Sequence, residues 1–214
     1  FNWFRYNDIL YLEDAGKSYL LLSYTDWLDD QLCFGSALAR LDLPGADPAQ
    51  WQAGAGDWQV VARTEPCLKP FTSGKAIYGL EAGGRMVVQE GTKVVWTSGS
   101  YERDDRVKGL DFTQSLAQMD DNDYGKVMVI DLATGAKETL AKGLRNPQGV
   151  TIDAAGQIWV SDHGMQGGDE LNLIQPGANY GFPVVSYGTK YNRQPVGNQD
   201  THKNHDGFDK PAVA

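Results

Sequence analysis

The sequence predicts an all-β chain of short strands in repeated four-stranded units, the plan of a β-propeller. Three observations carry that expectation. Apolar runs of strand length alternate with glycine-rich turns, helical periodicity is almost absent, and the strand sets recur along the chain. With 214 residues, 41% of them hydrophobic, the chain can bury the core of one domain or of part of a larger one.

The elements follow in order. Arg5–Leu12 and Tyr19–Tyr24 read as strands joined by the polar turn Glu13–Lys17, and Ala37–Leu43 and Trp58–Arg63 complete a first set across a Pro/Gly/Ala/Gln loop. A second set comprises Gly84–Val88, Lys93–Thr97, Lys126–Leu132 and Lys137–Ala141. A third opens with Gly149–Ile152, Gln157–Ser161 and Glu170–Ile174. The clearest internal copies are Met86–Thr97 and Val150–Ser161, each an apolar run, a short polar turn and a second apolar run with an apolar–Trp couplet. The repeats are about 50–65 residues long because long loops are inserted. A β-sandwich also shows many short strands, but the repeated couplet favours the propeller. The sets divide the chain at about residues 1–75, 76–142 and 143–214, the last including a following loop. Three blades are too few to close a ring and would leave strand edges unpaired, so further blades outside this chain, or association of two copies, are expected.

Charge narrows the partners. The formal net charge of −9 makes nucleic acid and anionic lipid poor partners, and no run approaches the ~20 apolar residues of a membrane helix. The basic stretch Arg103–Lys108 is interrupted by Asp104 and Asp105 and reads as a solvated loop. Cys33 and Cys67 match no metal-ligand spacing; they read as a disulfide of an oxidising compartment, or as two buried thiols. The start at Phe1-Asn-Trp-Phe4, without a signal peptide or initiator Met, leads us to expect an upstream segment. The acidic run Asp120–Asp123 lacks EF-hand spacing and reads as a solvated turn. His202 and His205 lie four apart, but in a polar stretch that does not read as the helix a zinc site would need.

One segment is far more specific: Gly143-Leu-Arg-Asn-Pro-Gln-Gly149, then Ile158-Trp-Val-Ser-Asp-His-Gly-Met-Gln-Gly-Gly-Asp-Glu-Leu-Asn-Leu-Ile174, then Pro176-Gly-Ala-Asn-Tyr-Gly-Phe-Pro183. Arg145 and Asn146 precede a strand, where a loop at a propeller's open face presents side chains. An Arg fork suits a carboxylate, and an Asn side chain both donates and accepts. Turn chemistry before Pro147 is the plainer reading of the same pair. His163-Gly164-Met165 follows a strand and reaches the same face. Asp169 and Glu170 are adjacent, so on a strand they point to opposite faces. An acidic surface turn is the alternative.

The order and spacing of these motifs closely resemble the soluble quinoprotein glucose/sorbosone dehydrogenase family, which includes the aldose sugar dehydrogenases, over about 45 residues and more weakly back to Phe1. The resemblance implies a six-bladed propeller, of which about three blades are in this chain. It implies pyrroloquinoline quinone (PQQ), a tricarboxylate, held by Arg145, Asn146 and His163. A Ca²⁺ ion on the carbonyls of Gly164 and Met165 would polarise the quinone. A second, structural Ca²⁺ would lie near Asp169, Glu170 and the carbonyl of Tyr180. The implied reaction is hydride transfer from a sugar or aldehyde carbon to the quinone, with an external electron acceptor, in the periplasm or outside the cell. A homo-oligomer is left open.

The pattern breaks at the base. Relatives carry a His where this chain has Glu81, in Glu81-Ala-Gly-Gly-Arg-Met86, and an acidic residue where it has Ser100. Glu81 is the candidate base if burial raises its pKa. Otherwise the chain is a catalytically silent propeller that binds a ligand or protein, or a structural subunit of an assembly.

Overall fold

The computed structural model describes residues 5–45, 47–70, 79–103, 114–197 and 205–214. Its fully described elements are β-strands and two 3-10 turns, Pro48–Gln50 and Ala55–Asp57. Strands β1 (Tyr6–Asp14), β2 (Lys17–Leu28), β3 (Cys33–Leu43) and β4 (Gln59–Arg63) form an antiparallel meander. Its first hairpin turns on Ala15 and Gly16, both at positive φ (49° and 77°), as a two-residue turn matched to strand twist requires. Strands β5 (Gly83–Glu90), β6 (Lys93–Ser98), β7 (Lys126–Asp131) and β8 (Lys137–Lys142) form the second meander. β9 (Pro147–Ile152), β10 (Ile158–Asp162) and β11 (Glu170–Leu173) form the third sheet.

The strands fall close to where the sequence places them, but β2 runs over Lys17–Leu28 rather than Tyr19–Tyr24, and two other differences stand out. β3 begins at Cys33 rather than Ala37, because Cys33–Ser36 continue the ladder against Thr25–Leu28. A two-residue strand, β12 (Ala178–Asn179), pairs in parallel with β8, so residues assigned to the third set lend an edge to the second sheet.

The sheets pack face to face. Leu12, Leu21 and Leu38 of the first meet Met86, Val94, Trp96, Met128 and Ile130 of the second. Val95, Val127 and Val129, on the second sheet's other face, meet Ile158 and Val160 of the third. β6 and β7 are therefore buried on both sides, which is why they read as continuous apolar runs rather than alternating ones. Successive sheets stacked this way form a propeller-like array.

The two Trp couplets are not equivalent. Aligned end to end, Met86–Thr97 on Val150–Ser161, Trp96 corresponds to Val160 and Trp159 to Val95. A one-residue offset flips a side chain to the opposite face. Trp96 is fully buried and donates from Nε1 to Ser23 Oγ at 3.0 Å, whereas Trp159 donates to the turn carboxylate of Asp153 at 3.0 Å. Cys33 and Cys67 form a disulfide beside the Phe34–Leu68 bridge, tying the start of β3 to the segment after β4. Loop-entropy arithmetic assigns it about 3–4 kcal/mol. No helix among the described residues is long and apolar enough to cross a membrane.

Candidate functional site

The specific motif lies where β9 begins, β10 ends and β5 begins. Asp162, at the end of β10, is buried in phase with Ile158 and Val160. Its carboxylate accepts from the backbone amides of Arg145 (2.8 Å) and Asn146 (2.6 Å), pinning both residues at the mouth of β9. Burial pushes the Asp162 carboxyl up to about 6, against the lowering effect of those amides.

Arg145 is 3% exposed. Its Nη1 donates to the carbonyls of His163 and Gly164, both at 2.8 Å, and its Nη2 to Glu81 Oε1 at 2.5 Å. Arg145 Nε is buried without a hydrogen-bond partner among the described residues. Asn146 Oδ1 accepts from the Gly83 amide at 3.3 Å, joining β9 to the start of β5. His163 Nδ1 lies 2.8 Å from Asp169 Oδ1, which also accepts from the Gly164 amide at 2.8 Å. That contact with His163 is the main reason the Asp169 carboxyl stands below its usual range.

Arg145, Asn146, His163 and Glu81, with Arg5 and Gln148, line one cleft of about 400 Å³. Glu81 sits in the left-handed region (φ 57°), and its Oε2 accepts from Ser100 Oγ (2.9 Å) and the Glu102 amide (3.2 Å). The two departures from the motif, Glu81 and Ser100, therefore touch each other. Gly99 permits this approach, since a Cβ there would lie 1.9 Å from the Glu81 carbonyl oxygen.

The residues expected around metal ions separate. The Gly164 carbonyl already accepts from the Arg145 guanidinium, so a cation on that oxygen would stand beside a positive charge. The Met165 side chain packs against Ala117, Phe182 and Val196. Tyr180 is anchored through its hydroxyl, which donates to the Leu173 carbonyl at 2.6 Å. Asp169 faces outward at 69% side-chain exposure, while its neighbour Glu170 faces inward at 9%.

Glu170 lies opposite Asp162 in the β10–β11 register. Burial, then the Asp162 charge, pushes its carboxyl up to about 8. Among the described residues it has one weak hydrogen bond, from Asn172 Nδ2 at 3.4 Å, and His205 Nε2 lies 3.8 Å away. Burial holds the His205 pKa down, and its ring stacks on Tyr187 at 4.4 Å. Asn172 Oδ1 and both His205 ring nitrogens are buried without hydrogen-bond partners among the described residues. The described residues contain no group of three or more His, Cys, Asp or Glu side chains suited to a metal. His202 and most of the basic stretch lie outside the described residues. In the acidic run, Asp120 pairs with Lys142 and Asp123 with Lys137.

Sequence reasoning gave no role to Asp162 or to a buried His205. Asp162 carried a usable signal, because it falls on the period-2 face of Ile158 and Val160, where a carboxylate must find donors. His205 carried none; its burial is set by packing against Tyr187.

Comparison with known proteins places the fold. The family model described as Glucose / Sorbosone dehydrogenase matches residues 15–214. Aldose sugar dehydrogenase YliI of Escherichia coli (strain K12) is 39% identical over 74 residues, 34% of this chain and 18% of that protein. A crystal structure of glucose dehydrogenase superimposes with a TM-score of 0.70 at 24% identity, over 96% of this chain and 57% of that one. The PQQ-bound aldose sugar dehydrogenase of Streptomyces coelicolor gives a TM-score of 0.55 at 20% identity, over 90% of this chain and 48% of that one. The chain thus spans about half the length of the solved structures it matches.

Proposed function

Because the chain belongs to the glucose/sorbosone dehydrogenase family, we propose that it carries the cofactor-holding part of a PQQ-dependent dehydrogenase acting on an aldose or related aldehyde. The observation that carries this reading is the convergence of Arg145, Asn146 and His163 on one donor-rich cleft, with Arg145 Nε buried and unpartnered. An orphaned guanidinium N–H beside amide donors fits an anionic, multiply carboxylated quinone. When bound, PQQ supplies the hydride acceptor. Arg145 would bind a cofactor carboxylate, Asn146 would orient the ring edge, and His163, held at Nδ1 by Asp169, would present its other nitrogen to the cleft. Asp162 would keep Arg145 and Asn146 in place by gripping their amides.

Calcium belongs to the proposal at Glu170 rather than at the Gly164 carbonyl. A buried carboxylate with a raised pKa beside the orphaned Asn172 Oδ1 offers oxygen donors suited to a hard cation. The remaining blades, the electron acceptor and the sugar-binding wall would come from outside this chain. The disulfide supports residence in an oxidising compartment, the periplasm or beyond.

The test is a titration of the full-length protein with PQQ, with and without Ca²⁺, followed by dye reduction with aldoses. Saturable binding with turnover supports the dehydrogenase, and absence of binding defeats the cofactor assignment. Saturable binding without turnover supports a second reading, a ligand-binding propeller without catalysis. That reading is favoured by one observation: both Glu81 oxygens are engaged, leaving this candidate base already committed.

A further inference from the structure

Resting on the PQQ reading above, we propose that Glu81 is an internal counter-carboxylate that competes with the cofactor for Arg145 and so sets the affinity of the site. Three observations meet here. The ion pair is dry, with 4% side-chain exposure for Arg145 and 5% for Glu81. Its geometry is one-sided: Glu81 Oε1 takes Arg145 Nη2, while Oε2 is turned away to Ser100 Oγ and the Glu102 amide, so Nε is left without a partner among the described residues. Both residues line the cleft that holds Asn146 and His163.

The donor inventory makes the competition explicit. A guanidinium has five N–H donors, and both on Nη1 are spent on the carbonyls of His163 and Gly164. A second carboxylate reaching Nε must share the group with Glu81 or displace it. Sharing sets two carboxylates side by side at low exposure, where like charges repel strongly. Displacement requires Glu81 to leave Arg145 while Ser100 and Glu102 still hold its other oxygen. Either way the negative charge of Glu81 opposes loading of an anionic ligand. Glu81→Gln keeps an acceptor for Nη2 and the chain length but removes the charge.

The experiment measures PQQ affinity, by tryptophan-fluorescence quenching and by calorimetry, for the wild-type full-length protein, Glu81→Gln and Glu102→Gln. Glu102 lines the same cleft and controls for general charge. Glu81→Gln is expected to bind PQQ at least about tenfold more tightly, with Glu102→Gln within about threefold of wild type. Unchanged or weaker binding by Glu81→Gln overturns the inference, the weaker case assigning Glu81 to holding Arg145 in place. An equal gain in both variants also overturns it, as a general charge effect. Should Glu81→Gln fail to fold, Ser100→Ala loosens the Oε2 anchor and is expected to tighten binding about two- to threefold; no gain there overturns the inference. Wild-type protein that binds no PQQ removes the cofactor reading itself, a result distinct from wild-type binding without a Glu81 effect.

Discussion

Glu81 and Glu170 both have side chains nearly sealed from solvent, at 5% and 9% exposure. Their surroundings differ completely. Glu81 meets a guanidinium, a hydroxyl and a backbone amide. Glu170 meets one amide at 3.4 Å, a neutral imidazole at 3.8 Å and the charge of Asp162 across the ladder. Burial sets the cost of holding a carboxylate, and the partners decide whether that cost is met within the chain or left for a proton or a cation. On the proposals above, the first carboxylate, already satisfied, would resist an incoming anion, and the second, poorly satisfied, would accept an incoming cation.

The largest way to break the contrast is to strip Glu81 of its partner. Arg145→Met leaves Glu81 buried without its cation and frees the carbonyls of His163 and Gly164. It is expected to cost about 3–5 kcal/mol in urea unfolding and to abolish PQQ binding. The double variant Arg145→Met/Glu81→Leu should recover much of that stability but none of the binding. A loss under about 1 kcal/mol for Arg145→Met would mean that the pair is not the anchor of this region.

The opposite carboxylate predicts a pH dependence. The folded pKa of Glu170 is raised from 4.5 to about 8 and that of Asp162 from 3.8 to about 6, so the native state binds more protons than the unfolded chain between those values. Stability from these groups is fully present below the unfolded pKa and is lost as pH rises through the folded one. His205 runs the other way: its folded pKa is depressed below 6.5, so its contribution improves as pH rises toward that value. Between about pH 6.5 and 7.5 the Glu170 effect dominates, with a decline of up to about 1.4 kcal/mol; nearer pH 8 the buried Lys126 amine, held down to about 8, begins to offset it. Thermal melts across this window should show the decline in calcium-free protein. It should flatten in Glu170→Gln, and in the wild type on adding Ca²⁺. Calcium that stabilises Glu170→Gln as much as wild type would move the ion elsewhere.

Much of the fold was legible because each strand is announced by its own residues: apolar runs bounded by glycine turns, with both-face burial written as unbroken stretches such as Lys126–Asp131. β12 was not legible, since two residues carry no periodicity and pair only because the chain returns past β8. The Trp couplet misled for a related reason. Trp96 and Trp159 look like copies in composition, yet one residue of register sends them to different surroundings. At the site, the motif residues Arg145, Asn146 and His163 were legible as neighbours because they flank the start of one strand and the end of the strand after it. The grip of Asp162 on two amides, the Glu81–Ser100 contact and the burial of His205 all depend on how segments far apart in sequence pack, which no local pattern encodes.

The finest contrast is between adjacent residues, Glu170 buried and Asp169 exposed. Asp169 is 69% exposed at its side chain, so its hydrogen bonds to His163 Nδ1 and the Gly164 amide are screened, and Asp169→Asn should change stability by no more than about 1 kcal/mol. Its depressed pKa places whatever stability it adds above its ordinary value of 3.8, lost only as acid takes the pH down through the folded value. Melts at neutral pH should therefore barely separate the variant from wild type, while PQQ affinity should fall about three- to tenfold as His163 loses the contact that orients its ring. The two readouts together distinguish positioning from scaffolding. Affinity that falls while the melt holds makes Asp169 the residue that aims His163. Affinity that stays level means the backbone bond from the His163 amide to the Asn146 carbonyl, at 3.1 Å, places the ring without it.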